Sequence, residues 1–135
     1  MCGIVGYVGA QDCTDVLIDA LSKLEYRGYD SAGIAVFEQD KIKIVKAKGR
    51  LADLQKKIEI VGKPIGHSGI GHTRWATHGE PSDVNSHPIG NERISIVHNG
   101  IIENYKQIKD FLVSKGYDFV SETDTETVAK LLDYY

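Results

Sequence analysis

The first apolar run, Gly3 to Val8, is short and continuous, which is the pattern of a buried strand. From Asp12 the rhythm lengthens. Val16, Ala20 and Leu24 recur with Leu17 and Leu21 beside them, a 3.6-residue stripe that predicts an amphipathic helix capped by Asp12 or Thr14. Ser31 to Phe37 reads as a strand, Gln39-Asp40 as a turn, and KIKIVK (41–46) as the alternating partner strand. Leu51, Leu54 and Ile58 predict a short helix, and the small, Gly-rich stretch Ser68 to Thr73 a strand where backbones approach closely. Residues 76–93 carry Gly, Pro, Asn, Ser and His with little periodicity. They read as a long loop, of the kind a compact domain keeps for function.

Ile94 to His98 predicts a strand ending in Asn99-Gly100, a pair suited to a turn with positive φ. Tyr105, Ile108, Phe111 and Leu112 mark a helix that Gly116 stops. Phe119-Val120 follows as a short strand, and Thr123 with Glu126 as the capping box of a last helix through Val128, Leu131 and Leu132. Strand pairs first and interleaved helices later predict a mixed α/β or α+β domain with an antiparallel element. The final pattern reaches Tyr135 without a stop signal, so the expectation is a fragment of a longer chain.

At 135 residues the chain holds one domain. Its 41% hydrophobic and 26% charged residues are those of a globular protein. Sixteen Lys+Arg against 19 Asp+Glu give a net charge of −3, which predicts no nucleic-acid partner and no anionic membrane surface. No apolar run approaches the ~18 residues of a membrane span. The N-terminal stretch has no basic segment and does not read as a signal peptide, and the two Cys point to a reducing compartment, the cytoplasm. The five His and two Cys form neither CxxC nor HExxH, so no metal is expected. The glycines between Gly66 and Gly71 lack the context of a phosphate loop.

Four places could do chemistry. If Met1 is removed, Cys2 carries a thiol and a free α-amine on one residue. An amine titrating near ~8 is partly neutral at pH 7 and can act as the thiol's own base. The bland alternative is a small apolar residue entering the first strand. GHTRWATHG (71–79) sets Arg74, a planar fork suited to a carboxylate, beside Trp75, which could lid a pocket. The same residues could form a structural ion pair and a core contact. HNGIIEN (98–104) exposes the Asn99 amide and the Gly100 N–H in one direction, which makes an oxyanion hole or simply an Asn-Gly turn. Asp124 in SETDTE (121–126) could hold an ammonium group or favour a helix N-terminus.

Taken in order, MCGIVGYVG, LEYRGYDSAG, GHTRWATHG, HNGIIEN and SETDTE resemble the glutaminase domain of the class II, N-terminal-nucleophile amidotransferases, over the whole chain. LEYRGYDSAG and GHTRWATHG are similar to the branch that aminates a sugar phosphate. They differ from the branches whose acceptors are phosphoribosyl pyrophosphate, aspartate or 2-oxoglutarate.

The resemblance implies an α+β fold, the αββα sandwich of N-terminal nucleophile hydrolases, incomplete at the C-terminus. An uncovered apolar sheet face and poor stability or self-association are then expected. It implies Cys2 as nucleophile with its own amine as base, and Asn99 and Gly100 as oxyanion hole. Arg74 would clamp the glutamine α-carboxylate and Asp124 its α-ammonium. Thr77 and His78 would lie on the glutamine loop, His72 near the substrate, Trp75 at the ammonia passage and Arg27 beside the nucleophile. His87 would lie in a loop facing the sugar-binding half. L-Glutamine is the implied substrate, without a cofactor. A sugar-phosphate isomerase domain, absent from these residues, is the implied partner and the site of a homodimer contact. A non-catalytic module that binds glutamine or a partner is the alternative.

Overall fold

The computed structural model describes residues 2–27, 30–75, 82 and 84–135, with only the backbone of Arg27. Its elements are β1 (Gly3–Val8), α1 (Cys13–Leu24), a 3-10 turn (Glu25–Arg27), β2 (Ser31–Glu38), β3 (Lys41–Lys48) and α2 (Leu51–Val61). There follow β4 (Ser68–Arg74), β5 (Ile89–Gly90), β6 (Ser95–Ile96), α3 (Tyr105–Ser114) and α4 (Thr125–Tyr134). β1 to β4 form an antiparallel sheet in the order β1-β4-β2-β3, and β5 pairs with β6.

Alternation along the strands gives the sheet two different faces. Ala32, Ile34, Val36, Val45 and Ala47 form one core with Cys13, Leu17 and Leu21 of α1 and Leu51, Leu54 and Ile58 of α2. β4 lets α1 lie close because it is nearly bare here. A Cβ at Gly69 would stand 2.7 Å from Cys13 Sγ. The expected cap of α1 forms, with Asp12 accepting from the Thr14 N–H at 3.2 Å. The fully buried side of α1 is Cys13, Thr14, Leu17 and Leu21, while Val16, Ala20 and Leu24 are set toward its edge.

The opposite face carries Ile4, Gly33, Ala35, Lys46, Ile70 and His72. The loop before β5 is pressed onto it at Gly33, where an added Cβ would collide with the His87 carbonyl. Lys46 holds the same loop, its ammonium donating to the carbonyls of Val84 (3.3 Å), Ser86 (3.0 Å) and Pro88 (3.4 Å). The β5–β6 hairpin follows, and α4 packs on it with α3 alongside. Helices, sheet, hairpin and helices thus stack in αββα order. Nearer the other end, the same face is open in a groove of about 490 Å³ lined by Val8, Ala35, Phe37, Ile42, Ile70 and Ser95. Val8 and Phe37 are exposed there.

Three local expectations differ from what forms. The strand expected over Ile94 to His98 is only Ser95–Ile96, because the His98 N–H donates to His87 Nδ1 (3.3 Å) instead of a ladder partner. Phe119-Val120 is not a strand, and Thr123 and Glu126 do not form a capping box. Both departures have one cause: the Glu126 carboxylate accepts from Val120 N (3.0 Å), Ser121 N (2.7 Å) and Ser121 Oγ (2.6 Å). The N-cap of α4 is Asp124. No helix among the described residues is long and apolar enough to cross a membrane.

Candidate active site

β1 and β4 run antiparallel with Gly3 opposite Thr73, so the residue before β1 emerges beside the end of β4. Cys2 therefore meets Trp75. The Trp75 N–H donates to Cys2 Sγ at 3.2 Å, and the Trp75 carbonyl oxygen lies 3.4 Å from the same sulfur. Asn99 arrives from the far side of the hairpin, and its Nδ2 donates to the Cys2 carbonyl at 2.9 Å. Residues 97 positions apart thus share one corner. Gly100 next to it has φ 149°, in the region that favours glycine, and a Cβ there would stand 3.2 Å from His98 Nε2.

Two buried charges of opposite sign flank this corner. Arg74, the last residue of β4, is 3% exposed. Burial lowers its pKa from the usual guanidinium value, and the nearby charges of Asp30, Cys2 and Asp124 oppose that shift. Asp124 is also 3% exposed and accepts the Ile102 N–H at 2.6 Å, which ties SETDTE to HNGIIEN. The Asp30 N–H donates to the Arg74 carbonyl at 3.2 Å and so fixes the end of β4 from the neighbouring strand.

Behind Asn99 lies a run of histidines. His72 Nε2 is 2.8 Å from Asn99 Oδ1, and the His72 and His87 rings stack with centroids 4.3 Å apart. His98 Nδ1 lies 3.5 Å from Thr125 Oγ1 at the start of α4. Burial pushes His72 down to about 4 against the opposing hydrogen bond to Asn99. It pushes His87 down to about 2, helped by the charges of His72, Arg74 and Lys46. Both rings are therefore neutral near pH 7. Among the described residues no group of three or more His, Cys, Asp or Glu is placed to hold a metal ion.

Of the residues singled out in the sequence, Cys2, Asn99, Gly100, Arg74, Asp124 and His72 come together. Trp75 brings its backbone to the sulfur, and its side chain is half-exposed. Thr77, His78 and the Arg27 side chain lie outside the described residues. His87, on the loop before β5, stacks its ring on His72. Two contributions carried no assignment from the sequence: Asp30 and the stacking of His87 on His72. Asp30 sits inside LEYRGYDSAG, so the motif pointed at it, and nothing local marked the stack. Glu126, read as a capping-box partner, instead accepts from Val120 N, Ser121 N and Ser121 Oγ.

A family model described as glutamine amidotransferase domain matches residues 63–135, more than half of the chain. Over 138 residues the chain is 63% identical to glutamine–fructose-6-phosphate aminotransferase (isomerizing) of Clostridium perfringens, covering 100% of this chain and 22% of that protein. The proteins of the same name from Clostridium tetani (60% over 137 residues, 100% of this chain) and Thermus thermophilus (58% over 137 residues, 98% of this chain) are likewise covered over 22% of their length. The chain thus spans about a fifth of the curated relatives it matches. Among solved structures it superposes on glutamine phosphoribosylpyrophosphate amidotransferase from B. subtilis, complexed with ADP and GMP. The TM-score is 0.82 at 27% identity, over 98% of this chain and 29% of that one. A structure titled as the allosteric regulatory enzyme of purine biosynthesis gives 0.83 at 28%, over 98% of this chain and 29% of that one.

Proposed function

This chain belongs to the glutamine amidotransferase domain family, and from that premise we propose that it hydrolyses the side-chain amide of L-glutamine through a thioester on Cys2. The observation that carries this reading is the meeting of Cys2, the Asn99 amide and the two buried charges Arg74 and Asp124 at one corner. Free glutamine is a zwitterion with an amide side chain. It needs one fixed cation, one fixed anion, a nucleophile, and donors for the oxygen that becomes negative, and these residues supply one of each.

After removal of Met1, the Cys2 α-amine takes the thiol proton and the thiolate attacks the amide carbon. Asn99 Nδ2 and the Gly100 N–H face the oxyanion of the tetrahedral intermediate. Its collapse breaks the C–N bond, and the ammonium returns the proton to the leaving group, giving ammonia. Water then cleaves the γ-glutamyl thioester to glutamate and regenerates Cys2. Arg74 holds the substrate α-carboxylate and Asp124 its α-ammonium, Thr77 and His78 take part in binding glutamine, and Trp75 gates the passage of ammonia.

In a longer protein of which this is the N-terminal part, the ammonia passes to fructose 6-phosphate on a sugar-phosphate isomerase domain, giving glucosamine 6-phosphate. That domain also makes the homodimer contact, and the cytoplasm is the compartment. The 51–63% identities to relatives of that name support this acceptor over phosphoribosyl pyrophosphate, whose solved representative is 27% identical.

The test compares the chain beginning at Cys2 with the chain that keeps Met1. Glutamate and ammonia form in equal amounts with the first only, and a diazoketone analogue of glutamine adds covalently to Cys2 of the first only. A Cys2-initiated, folded chain that neither turns over glutamine nor takes the label overturns the reading.

A further inference from the structure

Asn99 can support an oxyanion only if its amide points the right way. The Nδ2 side must face the nucleophile and the Oδ1 side must face away, and a reversed amide would present an oxygen to a developing negative charge. Asn99 is exposed, so packing does not choose between the two orientations. Its amide meets two groups, the Cys2 carbonyl at 2.9 Å and His72 Nε2 at 2.8 Å. The first belongs to the residue that undergoes chemistry. The second lies in the sheet, on a residue that is 1% exposed.

That ring is held on its other side by unusual means. β2 leaves a gap at Gly33, directly opposite His72 in register, and the His87 carbonyl fills it. Lys46, also opposite Gly33, ties the loop down through three carbonyls. The His87 ring is thereby laid on His72 at 4.3 Å with 20° between the planes. The His98 N–H fixes the His87 ring through Nδ1 at 3.3 Å, one residue before Asn99 itself. A ring so placed cannot swing, and near pH 7 it is neutral, with one N–H. Because a carbonyl oxygen can only accept, the contact at 2.8 Å puts that N–H on Nε2.

We propose that His72 is a positioning residue. Its Nε2–H, held by the His87 stack, fixes the Asn99 amide with Nδ2 toward the nucleophile, so that the oxyanion donor is aimed before glutamine arrives. This rests on the reading of Asn99 as an oxyanion donor, and it assigns His72 to the amide rather than to direct contact with substrate.

Three variants and one spectrum test it, all on the Cys2-initiated chain. His72→Phe keeps a flat ring for the stack but removes the donor. Its kcat falls by about 10²-fold, the penalty of a catalytic group left about 1 Å out of place, while KM for glutamine stays near that of the parent chain. His72→Gln restores an N–H near the Nε2 position and recovers most of the rate. In an Asn99→Ala background, His72→Phe costs little more. Equal loss in the Phe and Gln variants, an undiminished His72→Phe effect without Asn99, or a rise in KM with kcat retained overturns the proposal. If the parent chain shows no glutaminase activity, the failure lies with the proposed function, and nitrogen-15 NMR decides the His72 question separately. The expected spectrum at pH 7 has His72 as the Nε2–H tautomer. The Asn99 side-chain amide proton resonances are expected to shift in His72→Phe and to return toward their parent positions in His72→Gln. An Nδ1–H tautomer, or Asn99 protons indifferent to residue 72, refutes it.

Discussion

Truncating Asn99 to alanine separates the work of the amide from the stability of the fold. Asn99 is exposed, so the change leaves no buried cavity. It removes one hydrogen bond to the Cys2 carbonyl and one to His72 Nε2. Of these two partners His72 is the buried one, and an orphaned buried donor costs about 1–3 kcal/mol of stability. The loss in catalysis is larger. A missing oxyanion donor raises the barrier by about 3–4 kcal/mol, so kcat should fall by about 10²–10³-fold. Arg74 and Asp124, which hold the ends of the amino acid in the proposed mechanism, are untouched, so KM should change little.

The assay is the initial rate of glutamate formation across glutamine concentrations, with a melting curve on the same preparation. A folded variant with unchanged kcat would refute the oxyanion assignment. So would a variant whose loss lies wholly in KM, because that pattern describes ground-state binding.

The buried histidines set an acid limit. The folded pKa of His72 is about 4 against 6.5 unperturbed, so below 6.5 the unfolded chain binds more protons and stability falls with pH; for this ring the loss between pH 7 and pH 5 is about 2 kcal/mol, read by urea melts at both values. Stability that is flat over this range would contradict the neutral, buried ring. Gly33→Ala should destabilise by about 1–3 kcal/mol, since the new methyl collides with the His87 carbonyl. It should also weaken the His87–His72 stack, seen as a shift of both imidazole resonances; an unshifted spectrum would count against the packing described. Glu126→Ala removes the acceptor for Val120 N, Ser121 N and Ser121 Oγ and should cost about 3 kcal/mol or more. Because Asp124 lies on the same segment, KM for glutamine should rise as well; unchanged melting would show that the segment is held by something else.

The elements with a clean period were legible. Leu17 and Leu21, or Leu51, Leu54 and Ile58, declare a helical face without help from the rest of the chain. The departures arise where a side chain takes over a backbone partner from far away in sequence or from an unexpected direction. Glu126 looks like a capping residue because it stands three positions after Thr123. Its carboxylate instead turns back to two N–H groups and a hydroxyl at 120–121, which abolishes both the box and the short strand. His87 takes the His98 N–H and shortens β6 in the same way.

The site divides along the same line. Cys2, Arg74, Asn99 and Asp124 each carry a chemistry readable from residue type and local motif. What supports them does not, because it is made of contacts between separate strands and loops. Gly33 is the clearest case. In a one-dimensional reading it is a small residue interrupting an apolar strand. In the fold it is the gap that admits the His87 carbonyl, and with Lys46 it sets how close one loop comes to the sheet. That distance fixes the His87 ring on His72, and His72 meets the Asn99 amide. A glycine far from the Asn-Gly corner in sequence therefore bears on its geometry through three successive contacts. None of these leaves a periodic trace, since each joins residues that share neither a helix face nor a strand.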